Sequence, residues 1–233
     1  MTGVHPAEPE LAPAPVEPHD DVTVWPPHGY GDRARTELPV VVAWLHDYIG
    51  RPHRNLRRKG PICPFVPAAM KGAQVRYDFH YEVTGADTAE LTAMLLHRLN
   101  AFPVPDTDGP SLESRVIILP DLGASGWAAL DRAHAALKSG AVERGLMIGQ
   151  FHPACDERSA RNADFRVSRA PIPLLVVRRM ASHDVLFLHQ DPRWFAHYRR
   201  RFAEHYDSGG TTDPLMRTLY AQAQRHHSPG SDL

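Results

Sequence analysis

Between Val75 and Arg178, strand-sized apolar runs alternate with helix-length amphipathic stretches, and few folds accommodate that order. Val75, Tyr77, Phe79, Tyr81 and Val83 recur at every second position and predict a strand with one buried face. Asp87, with Glu90 three residues on, resembles a capping box, and Leu91, Met94, Leu95 and Leu99 form the inward stripe of the helix it opens. Arg115–Leu119 predicts a short strand stopped by Pro120, and Gly126–Leu137 a helix with Trp127, Leu130, His134 and Leu137 inward. Leu146–Phe151 and Leu174–Arg178 predict two more strands. Flanking helices are expected over Leu38–Ile49, from Asp191 with Trp194, Tyr198 and Phe202 inward, and over Asp213–Gln224. The fold class is therefore α/β: a sandwich on a mixed, mostly parallel sheet of about four strands flanked by helices. Right-handed crossovers make the first three strands parallel, and the direction of the fourth stays open.

The 233 residues suit one domain. Residues 1–34 hold seven prolines and six acids against one base, Arg33, and read as a disordered arm. Residues 35–225 read as the single α/β domain and 226–233 as a flexible tail. With 26 basic and 27 acidic residues the formal net charge is -1, which argues against nucleic acid or an anionic membrane surface as partner. No apolar run has the length of a membrane span. Cys63 and Cys155 form no C-x-x-C pair, which points to reduced thiols and a cytoplasmic setting. The expected partner is a small-molecule substrate, with homodimer formation left open.

Three segments carry more polar chemistry than packing requires. His152 stands at a predicted strand end, and Pro153 holds it extended, so its imidazole can serve as a ligand, a base or a structural group. Cys63 lies in Pro61-Ile62-Cys63-Pro64-Phe65, where flanking prolines fix its backbone, and Arg57, Arg58 and Lys59 are close in sequence. It reads as a buried small hydrophobe, an axial ligand or a nucleophile. Arg166, Arg169, Arg178 and Arg179 gather around Pro171 and Pro173, a density of forked cations suited to carboxylates or phosphates. His183 and Asp184 read as caps of the following turn. The chain has no G-x-G-x-x-G, no P-loop, no G-x-S-x-G and no H-E-x-x-H, which removes the nucleotide-binding, α/β-hydrolase and metallohydrolase readings.

Cys63-Pro64-Phe65, Leu119-Pro120, Phe151-His152-Pro153, Asn162, Ser168-Arg169-Ala170-Pro171-Ile172-Pro173 and Arg178 form an ordered series. It resembles a family of uncharacterised bacterial proteins with CPF, LP, FHP, N, RSPYP and R in that order. More distantly it is similar to the YqcI/YcgG family, which includes haem-dependent N-hydroxylases of amino acids. That resemblance implies haem b, with His152 as the axial iron ligand and Cys63 as an alternative or outer ligand. Phe151, Phe165, Met147 and Met180 would wall the ring, and Arg166, Arg169 and Arg178 would hold its propionates. The implied activity is a haem-dependent monooxygenase acting on a small amine or guanidine. Two other expectations stand beside it: a non-catalytic module binding a small anion, and a cofactor-free thiol enzyme in which His152 is base to Cys63.

Overall fold

The structure, a computed structural model, describes residues 21–103 and 111–227. The chain runs through β1 (Val22–Trp25), α1 (Gly31–Trp44), α2 (Val66–Lys71), β2 (Val75–His80), α3 (Thr88–Asn100) and β3 (Ser114–Ile118). It continues through α4 (Trp127–Glu143), β4 (Leu146–Phe151), a hairpin of β5 (Arg158–Ser159) and β6 (Asn162–Arg166), and β7 (Leu174–Arg179). Three helices close it: α5 (Val185–Leu188), α6 (Pro192–Asp207) and α7 (Pro214–His226).

The architecture is the expected α/β sandwich, on a mixed sheet of five strands in the order β1-β2-β3-β7-β4. β1, β2 and β3 are parallel neighbours, while β7 lies antiparallel between β3 and β4. The last long strand thus occupies an inner position. Its composition suits that place: Leu174, Leu175 and Val177 are wholly buried, as a strand covered on both faces requires. On one face α3 and α4 bury Leu91, Leu95, Leu99, Leu130 and Leu137 against Ile117, Ile148, Leu175 and Val177. On the other, α1 and its wider continuation over Leu45–Ile49 bury Leu38, Val41 and Trp44 against Val75, Phe79, Val116 and Leu174. A third cluster joins α5, α6 and α7 to Met147 and Met180.

Two expectations are corrected here. The arm to residue 34 gives way to structure from residue 21 on: β1 pairs with β2, Val22 opposite Tyr77, and α1 begins at Gly31. The proline and acid count hid Val22-Thr23-Val24-Trp25, whose two valines pack against the second core. Residues 1–20 of that arm, and 228–233 of the tail, lie outside the described residues; His226 ends α7 and His227 bonds the His189 carbonyl oxygen at 3.0 Å. In α6, Asp191 caps the Arg193 and Trp194 N–H groups as expected. The buried pair is Phe195 with Tyr198, however, while Trp194 and Phe202 flank it half-buried. Among the described residues no helix is long and apolar enough to cross a membrane.

Candidate functional site

The register of β7 on β4 separates the residues that the sequence suggested would share a site. Arg178 pairs with Met147, and Leu174 with Phe151. Arg178 therefore lies at the amino edge of the parallel strands, and His152 beyond the carboxyl edge, five residues or about 16 Å along the strand. Two polar constellations result.

At the carboxyl edge, Cys155 N–H donates to the His152 carbonyl at 3.0 Å, turning the chain immediately after β4. The imidazole stacks on Trp127, with ring centroids 5.4 Å apart, and its Nε2 lies 3.2 Å from Asp131 Oδ1. Trp127 and Asp131 are one turn apart on α4, whose start is set by Gly126; a Cβ there would collide with the Thr84 carbonyl oxygen. Nearer β1 and β2 the same edge is closed by its own network. Arg33 bonds Asp121 at 2.9 Å and lies over the Tyr81 ring, Tyr81 donates to Glu37 at 2.7 Å, and Tyr30 donates to Glu82 at 2.7 Å. Open α/β sheets usually bind ligands at this edge; here much of it is already filled.

The haem reading does not fit these residues. His152 is 3% exposed, with one ring face against Trp127 and Nε2 facing a carboxylate. Phe151 packs edge-on against Trp44 at 5.2 Å, and Phe165 stacks on His53 at 4.5 Å, so the two are fixed by different neighbours. Arg166 is paired with Asp156, and Arg169 is exposed, its carbonyl taken by the Trp44 indole N–H at 2.9 Å. Arg178 belongs to the opposite edge.

At the amino edge, Arg178 makes a bidentate pair with Asp184, at 2.6 and 2.8 Å, and lies 5.5 Å over the Phe65 ring. Phe65 in turn stacks on His183, 4.8 Å between centroids. The Cys63 thiol, two residues before Phe65, is half-buried and close enough to interact electrostatically with both Arg178 and Arg58. Burial alone would raise the Asp184 carboxyl, but Arg178, His183 and the Ala181 N–H together hold it below its usual range. That Ala181 bond, 2.8 Å, is the turn cap the sequence suggested. Burial pushes His183 down to about 4, with Arg178 and Arg58 adding to the effect and Asp184 opposing it, so its ring is neutral at pH 7. Arg58 gives its N–H groups to the carbonyls of Lys59, Pro61 and Ile62, and among the described residues no carboxylate lies within ion-pair distance. Burial and the neighbouring Arg161 both weaken its hold on its proton.

The profile of a family described as a domain of unknown function, DUF6875, matches residues 38–213. The chain belongs to the DUF6875 family. The match covers both edges of the sheet, from α1 to the cap of α7. No curated protein and no solved structure matches this DUF6875 chain.

Sequence reasoning named Cys63, Arg178 and, beside the thiol, Arg58 among three neighbouring cations, without singling Arg58 out, and it gave His183 and Asp184 only a capping role. It also missed Asp131 and Cys155 beside His152. A histidine and a cysteine three residues apart were the available signal, which neither the C-x-x-C nor the H-E-x-x-H spacing captures.

Proposed function

We propose that the protein binds a small molecule bearing a carboxylate or phosphate at the amino edge of its sheet, with the Cys63 thiol presented to it. The observation that carries this reading is Arg58: a half-buried guanidinium beside the thiol with carbonyl partners only. Arg178 and Arg161 are neutralised by Asp184 and Asp213, so they supply geometry, whereas Arg58 supplies a net charge. A ligand anion would satisfy it with a charge-assisted bond in a partly desolvated place, where such bonds are strongest. Titration with inorganic phosphate and with simple mono- and dicarboxylates tests this directly. Arg58→Ala should weaken binding at least about tenfold, the loss of one charge-assisted bond; equal affinities in the two chains would refute it.

A second reading, thiol chemistry on the bound molecule, is favoured by the half-buried Cys63 thiol lying near the Arg58 and Arg178 guanidiniums. Paired alkylation separates the readings. Iodoacetate is an anion and iodoacetamide is neutral, so an anion site accelerates the first relative to the second at Cys63, and Arg58→Ala removes that preference. His183→Gln should slow both reagents if the ring assists the thiol and neither if it does not.

A further inference from the structure

At the carboxyl edge, three side chains of metal-ligating type converge, and the reading above uses none of them. The Asp131 carboxylate, the His152 imidazole and the Cys155 thiol each bring one donor atom within 4.8 Å of the other two. We propose that these three residues bind one divalent first-row transition ion of the zinc class.

The local chain geometry builds the trio. The turn closed by Cys155 N–H on the His152 carbonyl brings the histidine and the cysteine off the strand end together. Asp131 comes from α4, one turn beyond Trp127, whose ring covers the imidazole. Both inner donors are buried. The His152 nitrogen that faces Asp131 is Nε2, at 3.2 Å, and the Cys155 thiol, in a residue 1% exposed, makes a long contact to the Gln150 carbonyl at 3.9 Å and a bond with the Glu157 backbone.

The donor chemistry selects the ion. One nitrogen, one thiolate sulfur and one carboxylate oxygen suit zinc and its neighbours rather than calcium or magnesium, which take all-oxygen sets. In a tetrahedral site donors stand about 3.5 Å apart, so closing from the present separations needs side-chain movements of about 1 Å. Asp131, with a side chain 45% exposed, is the mobile member and forms the mouth. Three protein ligands leave the fourth position, on that solvent side, to water or to an incoming molecule. This proposal stands independently of the amino-edge reading.

The test uses the full chain without an affinity tag, stripped with chelator and titrated with Co²⁺ and then Zn²⁺. One ion per chain should bind, with a thiolate-to-cobalt charge-transfer band that Zn²⁺ displaces and a rise in thermal midpoint. Cys155→Ser should abolish the band, and Asp131→Asn, a change at an exposed carboxylate, should weaken binding at least about tenfold. Cys63→Ser should change neither, which excludes the other thiol as the source. Absence of saturable binding overturns the proposal, as does a cobalt complex without the thiolate band or a band that survives Cys155→Ser. If Cys155→Ser does not fold, the affinity of Asp131→Asn decides: unchanged binding there is a refutation.

Discussion

The two edges of the sheet carry the same three kinds of side chain, a cysteine, a histidine and an aspartate, and bury them in opposite ways. At the amino edge the aspartate, Asp184, is wholly buried and locked to Arg178, while Cys63 and His183 stay half-open. At the carboxyl edge Cys155 and His152 are buried, while Asp131 reaches solvent. Which member is buried decides what the trio can do. A buried carboxylate spends its charge on one arginine, leaves a second arginine unpaired, and presents a positive, partly wet surface with a thiol. Buried soft donors beside a half-exposed carboxylate bring together ligand types that suit a cation.

The sharpest way to break this contrast is thiol labelling. In native protein Cys63 should react readily with a neutral alkylating reagent. Cys155 must wait for the structure to open, and its labelling should be about three or more orders of magnitude slower, as expected for a residue released by near-global unfolding. Mass spectrometry of partially labelled chains gives the ratio. Comparable rates at the two thiols would mean that the carboxyl edge opens easily and that the burial difference has no force in solution.

The next effect tests the buried carboxylate. Asp184→Ala leaves the Arg178 guanidinium without its bidentate partner and removes the Ala181 cap. Losing one member of a buried pair costs about 3–5 kcal/mol, readable by chemical denaturation. A loss below about 1 kcal/mol would mean that water already serves Arg178, and the amino edge would be an ordinary exposed surface.

How much of this was legible in the sequence follows from range. β2, β3, β4, α3 and α4 announce themselves because their periodicity needs only neighbouring residues, and Asp87 and Asp191 mark helix starts for the same reason. β1 was lost because four residues of alternation lie inside a proline- and acid-rich stretch. The placement of β7 between β3 and β4 is a matter of pairing, which no local pattern encodes, and that one fact separates His152 from Arg178. The sites are joined over longer spans still. Cys63 meets Arg178 across more than a hundred residues, and Asp131 meets His152 from another element, so their chemistry appears only once the sheet is assembled.

A pH profile sharpens the comparison further. His183 is held near 4 chiefly by burial, against about 6.5 in an unfolded chain. Between those values the unfolded state binds more protons, so stability falls as pH drops from about 6.5 to 4; below 4 both states are protonated and this residue adds nothing more. Its share is roughly 3 kcal/mol. His80 and His134, each also pushed to about 4 first by burial, act in the same window and direction. His183→Gln should therefore flatten the acid limb of the stability curve without removing it. An unchanged slope would show that the amino edge contributes nothing to the acid response.

The smallest effect should come from the carboxyl edge. Asp131→Asn removes a charge that faces His152 at 3.2 Å from a side chain 45% exposed. Exposed ion pairs contribute little, and the amide oxygen can still accept from the ring, so metal-free protein should lose less than about 1 kcal/mol. Set beside Asp184→Ala, the loss of a carboxylate should cost several-fold less here, because Asp184 is wholly buried, Asp131 is about half exposed, and the Asn side chain keeps an acceptor. Excess Zn²⁺ should then separate Asp131→Asn from the parent chain. A ligand that binds only the folded state stabilises it by RT ln(1 + [L]/Kd), and the variant forfeits part of that gain. If Asp131→Asn is as damaging as Asp184→Ala without metal, the carboxyl-edge carboxylate is a structural partner of His152 and the contrast between the edges fails.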